Sequence, residues 1–353
     1  MENRDLYGYE SAQAAADFLR AEMTARGMNP DSLLSGVITG SGLGSFSELR
    51  LGALSYDVAG GTPSSPLVLP FDKVLQHVAL PLCSGDGVGG HKRRLVIGPM
   101  KSGVDGLDPF VIVQDGREHP YEGIDTKRAT FWLRVMQVLG IKNLIGSNAA
   151  GSITPGTIKR GDLMLIHSHI DDEGDSPLVG PNDERLGPRF PSTNNLYPRE
   201  TREIIKAVAE KEEIPLKEGL FFRKKGPNYE SPEQVYDARR RLRGILEEGT
   251  RQSGEDRFPR LRDPLGVFGM STSYEAMAVS HAAQREIKPG DVANPVFVNR
   301  AWVSAVTNFA GGLDIHGVGS FPNHAEVSEM GRSFEDRFGR LVSGAIVEME
   351  RAA

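Results

Sequence analysis

Between Glu10 and about Met28, the apolar residues Ala14, Ala15, Phe18, Leu19 and Met23 recur at helical spacing with charges between them, which predicts an opening amphipathic helix. A short apolar run follows, Ser35-Gly36-Val37-Ile38-Thr39, with the length of a buried strand; it enters Gly40-Ser41-Gly42-Leu43-Gly44-Ser45. Similar runs at Arg94–Gly98, Pro109–Val113, Leu144–Ser147, Leu163–Ile166, Gly266–Met270 and Pro295–Val298 alternate with helical patterns at Thr126–Leu139, Arg199–Glu212 and Tyr274–Arg285. Strands alternating with helices predict an α/β fold with a mostly parallel or mixed sheet, in which ligands sit at the carboxyl ends of the strands. Gly, Ser, Asn, His and Arg concentrate at those positions.

Two stretches interrupt the pattern. Residues 239–263 carry eight arginines, with Gly244, Gly249, Gly254 and Pro259 among them, and read as a surface insertion. Residues 284–295, beginning Gln284-Arg285-Glu286, read as a second loop extension. No internal repeat, heptad pattern or low-complexity tract is evident.

Composition narrows the function. The chain has 353 residues and a formal net charge of -6, from 41 Lys and Arg against 47 Asp and Glu, so it lacks the positive excess that nucleic-acid backbones attract. A single cysteine, Cys83, leaves no disulfide framework or Cys-based zinc site. With no signal-peptide pattern at the amino terminus and no apolar run near the ~18 residues of a membrane span, a cytoplasmic protein acting on a small molecule is expected.

The candidate chemistry lies in scattered pieces. Gly40–Ser45 lacks the third glycine of a dinucleotide fingerprint but suits a generic anion loop as well as a plain turn. After the strand ending at Val113, the residues Arg117, His119 and Tyr121 alternate. In an extended chain they would share one face, offering a guanidinium fork, an imidazole and a phenol to a phosphate beside a sugar; an ordinary edge strand is the alternative. Asn148-Ala149-Ala150-Gly151 ends another strand with small residues, open to backbone donation. His167-Ser168-His169 with Asp171 and Asp172 has metal-ligand residue types, but strand alternation into an acidic turn accounts for the spacing. Tyr229-Glu230, Met270-Ser271-Thr272, Thr307-Asn308 and Asn323-His324 also fall at strand ends or in loops.

Taken in order, these pieces resemble the trimeric purine nucleoside phosphorylase family. The set comprises Gly-Ser-Gly-Leu-Gly at 40–44, Gly90-His91, Gly-Arg-x-His-x-Tyr-Glu-Gly at 116–123, Asn-Ala-Ala-Gly at 148–151 and Gly-Asp-x-Met-Leu-Ile at 161–166. It continues with Gly-Pro-Asn-Asp-Glu-Arg at 180–185, Gly-Met-Ser-Thr at 269–272, Thr307-Asn308 and Asn323-His324-x-Glu326-Val327. The resemblance implies a single nucleoside phosphorylase domain over residues 1–353, built on a mixed, partly barrel-like central sheet flanked by helices, and a homotrimer. It implies reversible phosphorolysis of inosine, guanosine and their deoxy forms to free base and pentose 1-phosphate, with orthophosphate as co-substrate and neither metal nor organic cofactor.

Residue by residue, the resemblance gives phosphate to Ser41, Arg117, His119, Ser271 and the backbone at Ala149, and the sugar to Tyr121, Met270 and His324. The purine goes to Tyr229, Glu230 and Asn308, with Asn308, Glu230 and His119 as the catalytic set. The chemistry is consistent: phosphate oxygens stabilise the cationic anomeric carbon before one attacks it, while Asn308 steadies N7 and Glu230 accepts from N1–H.

The chain departs from the family's usual pattern in places. Ser273-Tyr274-Glu275 stands for Val-Pro-Glu, Phe268 for a smaller aliphatic, and the acidic stretch Asp171–Pro177 lacks the aromatic by which animal members reach a neighbouring subunit. A methylthioadenosine or adenosine phosphorylase is the near rival, distinguished by its Asp at the Asn308 position; a catalytically inactive nucleoside-binding protein is the rival of another class.

Overall fold

A computed structural model describes residues 5–41, 43–52, 65–83, 91–103, 107–252, 265–286, 295–313, 330 and 333–352. Helix α1 spans Tyr9–Ala25 and buries Ala12, Ala15, Ala16, Leu19 and Met23, a stripe at the spacing of one helix face. Ala14 is exposed and Phe18 only half-buried, stacked on His77 at 4.2 Å, so the buried face is centred slightly away from the one read from the sequence. The remaining elements in chain order begin with β1 (Ser35–Thr39), α2 (Phe46–Leu51), β2 (Leu67–Pro70), α3 (Phe71–His77), β3 (Arg94–Pro99), β4 (Phe110–Asp115), α4 (Thr126–Ala129) and α5 (Phe131–Leu139). They continue with β5 (Asn143–Ser152), β6 (Leu163–Ile170), α6 (Arg199–Lys211), β7 (Leu216–Arg223), α7 (Pro232–Gln252), β8 (Gly266–Gly269), α8 (Ser273–Ala283), β9 (Asn299–Phe309) and α9 (Glu335–Arg351).

The nine strands among the described residues form one mixed sheet in the order β2-β3-β4-β1-β5-β8-β7-β6-β9, and an additional β5–β9 pairing closes the last five into a barrel. The α/β expectation of a mixed, partly barrel-like sheet flanked by helices therefore holds. Strand β1 runs parallel to β4 on one side and β5 on the other and is buried throughout, which explains its unbroken apolar character. One apolar core joins α1, α3 and α5 to the sheet, a second packs α6 and α9 on it, and a third lies beneath α7.

Three local expectations change. Thr126–Leu139 is two helices, broken at Thr130, rather than one. Pro295–Val298 is not a strand: Phe297 is fully buried with φ of 49° and donates its N–H to Ile141, so its apolar character reflects a plug in the core. The strand starts at Asn299, and its polar residues Asn299, Arg300 and Ser304 conceal it from a hydrophobic pattern. Finally, Arg239–Gln252 continues α7 as regular helix across Gly244 and Gly249; the remainder of the 239–263 stretch lies outside the described residues.

Candidate active site

The ends of β1, β5, β8 and β9 meet the loop after β4 around one cleft. Ser41, Arg117, His119, Tyr121, Ala149, Tyr229, Glu230, Met270, Ser271 and Asn308 all line it. Ten of the eleven positions singled out in the sequence are thus brought together across 268 residues of chain, from 41 to 308. The eleventh, His324, lies outside the described residues, as do Asn323 and Glu326. Phe268 and Thr307 complete the wall.

Close backbone approach shapes the Arg117 end of the cleft. A side chain at Gly40 would meet Asn148 Cα at 2.9 Å and Arg117 Nη1 at 3.2 Å, and Gly116 turns the chain after β4 with φ of +89°. Arg117 is 1% exposed and is held from behind. Its Nε lies 2.8 Å from Glu275 Oε1, and its Nη2 donates to Ser147 O at 2.8 Å and to Glu275 Oε2 at 3.3 Å. Trp302 Nε1 donates to the same carboxylate at 3.4 Å. One edge of the guanidinium is consumed in this way, leaving Nη1 beside Ser271 Oγ at 3.5 Å on the cleft side. Glu275 was not among the positions singled out, and its only sequence signal was its place in the motif that starts at Gly269.

His91 is the second residue that the sequence left without a role. Its Nδ1 accepts the Arg117 backbone N–H at 2.9 Å, which puts the ring proton on Nε2, and Nε2 stands 2.9 Å from Ser41 Oγ. Ser41 then accepts from His91 and has its own proton to give to an anion. His119 lies edge-on to His91 and stacks on Tyr121, with centroids 4.7 Å apart. Pro120–Glu122 is a 3-10 turn, so Tyr121 reaches the cleft through that turn and not through the alternation of an extended chain. Burial, reinforced by Arg117 and Arg93, holds the His119 pKa well below the usual histidine range, leaving a neutral imidazole.

Ser271 sits on a strained turn. Ser273 N–H donates to Ser271 O at 2.9 Å across Thr272, whose φ of 76° and ψ of -53° form the rare positive-φ γ-turn. Asn148 Nδ2 clamps the Thr272 hydroxyl at 2.8 Å. Such strain persists where surrounding contacts over-determine it and is concentrated at ligand clamps.

At the opposite end, the β5–β9 register slips between Ala150 and Gly151, so that Gly151 faces Asn308 and Thr307 is the extra residue. The bulge re-aims β9 at the cleft. Thr307 Oγ1 donates to Asn308 Oδ1 at 3.0 Å and Asn308 Nδ2 donates to Phe309 O at 3.1 Å, which fixes the amide orientation and leaves one N–H over. Glu230 is 8% exposed and takes a long bond of 3.4 Å from Gly311 N–H; burial pushes its pKa up. The cleft thus has cationic and neutral donors at one end, and a carboxylate beside an amide at the other.

Among the described residues, no group of three His, Cys, Asp or Glu is placed to hold a metal, and no helix is long and apolar enough to cross a membrane. His169 Nδ1 instead meets the Tyr197 hydroxyl at 2.7 Å.

Comparison with known proteins supports the fold and shows the family. The family model of the phosphorylase superfamily matches residues 84–347, and the chain belongs to that superfamily. It is 29% identical to purine nucleoside phosphorylase 1 of Bacillus subtilis over 96% of this chain and 98% of that protein. To purine nucleoside phosphorylase of Bos taurus it is 28% identical over 96% and 94%. Crystal structures of Schistosoma mansoni purine nucleoside phosphorylase in complex with inosine and with adenosine each superimpose with a TM-score of 0.69 at 25% identity, covering 97% of this chain. Within the superfamily the chain is an enzyme of the purine nucleoside phosphorylase type, a pentosyltransferase.

Proposed function

We propose that the enzyme prefers 6-oxopurine nucleosides, inosine and guanosine with their deoxy forms, and that one cleft holds orthophosphate and nucleoside together. Arg117 Nη1, Ser41, His119, Ser271 and the Ala149 backbone hold phosphate; Tyr121, Met270 and His324 hold the sugar; Tyr229, Glu230 and Asn308 hold the base. A dianion at the Arg117 end lies beneath the anomeric carbon, stabilises its growing positive charge and supplies the attacking oxygen. The spare Asn308 N–H meets N7 as the purine gathers electrons, and no protein nucleophile is needed. Neither a metal nor an organic cofactor has a part in this scheme.

The observation that carries the 6-oxo preference is the pairing of a buried carboxylate, Glu230, with an amide at position 308. The carboxylate accepts from the N1–H of a 6-oxopurine; a 6-aminopurine lacks that proton and leaves the buried oxygen unmatched, at a cost of about 1–3 kcal/mol. A homotrimer in the cytoplasm is part of the same reading, on the resemblance of the motifs.

Incubation with inosine tests it. Hypoxanthine and ribose 1-phosphate should appear only when orthophosphate is present, and adenosine should turn over more slowly. Product without phosphate would mean hydrolysis, and equal rates on adenosine would remove the preference.

A further inference from the structure

Two departures from the family pattern, the acidic stretch Asp171–Pro177 and the dipeptide Ser273-Tyr274, are far apart in sequence and meet in space. Both also meet Arg223, the last residue of β7. The Arg223 side chain is fully buried; Nη1 lies 3.1 Å from Asp171 Oδ2 and 2.6 Å from Asp175 Oδ1, and the guanidinium stands over the Tyr274 ring at 4.9 Å. Asp171 Oδ2 in turn accepts from Ser273 Oγ at 2.7 Å. The other acid of the stretch with a cationic partner is Asp172, which pairs with Arg241 of α7, while Lys225 adds a second partner to Asp175 at 3.6 Å.

Ser273 is the third residue of the γ-turn that presents Ser271. The chain of contacts therefore runs from Arg223 through Asp171 to Ser273, and from the Ser273 N–H to Ser271 O. The backbone repeats the link, because β7 pairs Arg223 with Gly269, and Lys224 N–H donates to Gly269 O two residues before Ser271. The strain at Thr272 needs an external restraint. Asn148 supplies one from β5, and the Asp171–Ser273 bond supplies another from the residues after β6.

We propose that Arg223 is a positioning residue for phosphate binding: with Asp171 it pins Ser273, and so holds the strained turn that aims Ser271 at the Arg117 end of the cleft. The inference rests on the reading that this end holds phosphate. Arg223 does not line the cleft, and its side chain acts through Asp171 and Ser273. A merely structural ion pair would change melting temperature and leave the balance between phosphate and nucleoside affinity untouched.

The test uses Arg223→Met, Arg223→Lys and Ser273→Ala in the full chain, with KM for phosphate, KM for inosine and kcat measured for each. Binding of inorganic phosphate alone is read separately as a thermal upshift. Arg223→Met should raise KM for phosphate at least tenfold, Ser273→Ala about three- to tenfold, and Arg223→Lys should recover part of the loss; KM for inosine should stay within twofold. Should Arg223→Met fail to fold, Ser273→Ala decides. Unchanged phosphate KM and upshift in the folded variants would overturn the inference. A wild-type protein that melts higher with phosphate yet never cleaves inosine would defeat the functional reading instead, and the variants' upshifts would still decide the role of Arg223.

Discussion

The two ends of the cleft are built on different plans. At the Arg117 end almost every polar group already has a protein partner: Arg117 is gripped by Glu275 and Ser147, Ser41 by His91, and Thr272 by Asn148. At the Glu230 end the ties are more local: Gly311 N–H reaches Glu230 at a long 3.4 Å, Tyr229 is half-buried, and Asn308 bonds to its chain neighbours Thr307 and Phe309. An anion that must be held the same way for every substrate calls for a preorganised cradle. A base that must be told from its relatives calls for hydrogen-bonding capacity left for the substrate, because an unmatched buried group is what penalises the wrong one.

The contrast breaks most severely at Arg117. Arg117→Ala should lower kcat/KM on the order of 1,000-fold or more, since it removes a charged donor and strands the Glu275 carboxylate. It should also cost about 3–5 kcal/mol of stability, the usual price of splitting a buried pair, measured by urea unfolding. Glu230→Ala should depress inosine phosphorolysis by about 100-fold or more while leaving phosphate binding and folding nearly intact. If phosphate affinity fell equally, the two ends would not be separable. Asn308→Asp should raise the adenosine-to-inosine activity ratio roughly tenfold, the worth of one charge-assisted hydrogen bond, with an unchanged ratio counting against the role of Asn308.

Smaller effects appear with pH. Glu230 must be ionised to accept N1–H, and burial raises its pKa, so kcat/KM for inosine should fall on acidification at a higher pH than an ordinary carboxylate would give. Glu230→Gln should abolish that limb. Stability follows other groups. Burial pushes His167, His169 and His281 down to about 4, so they stay neutral in the folded protein while the unfolded chain binds protons below its ordinary value of about 6.5. The melting temperature should therefore decline as pH falls from about 6.5 toward 4, and a flat profile across that window would contradict the burial of these rings.

How much the sequence revealed follows the same division. The gathering of Ser41, Arg117, His119, Tyr121, Glu230, Ser271 and Asn308 was legible from the resemblance of the ordered motifs, whose pieces fall at strand ends or in the loops after them, where an α/β sheet collects its ligand-binding groups. The supporting residues were not. Glu275 and His91 act through distances of 2.8–2.9 Å to groups 158 and 50 residues away, and although each stands in or beside a quoted motif, nothing local names its partner. The bulge that turns Asn308 toward the cleft is a property of pairing between β5 and β9 and cannot be read from either strand alone. Strand β9 was placed too early, at Pro295–Val298, because the true strand opens on Asn299 and Arg300, and the donation from Arg300 to the backbone carbonyls of Leu196 and Phe297 is invisible to a hydrophobic pattern. Helix α7 crosses two glycines that would ordinarily end a helix, since its buried residues Val235, Ala238 and Leu242 hold it against the core beneath.

A crystal structure of the enzyme with hypoxanthine and orthophosphate bound together tests the shared cleft most directly. Phosphate oxygens should lie within hydrogen-bond distance of Arg117 Nη1, Ser41 Oγ and Ser271 Oγ, with hypoxanthine N1 facing Glu230 and N7 facing Asn308 Nδ2, leaving room for one pentose between the two ligands. Phosphate and purine in separate cavities, or a purine turned away from Glu230, would contradict the account.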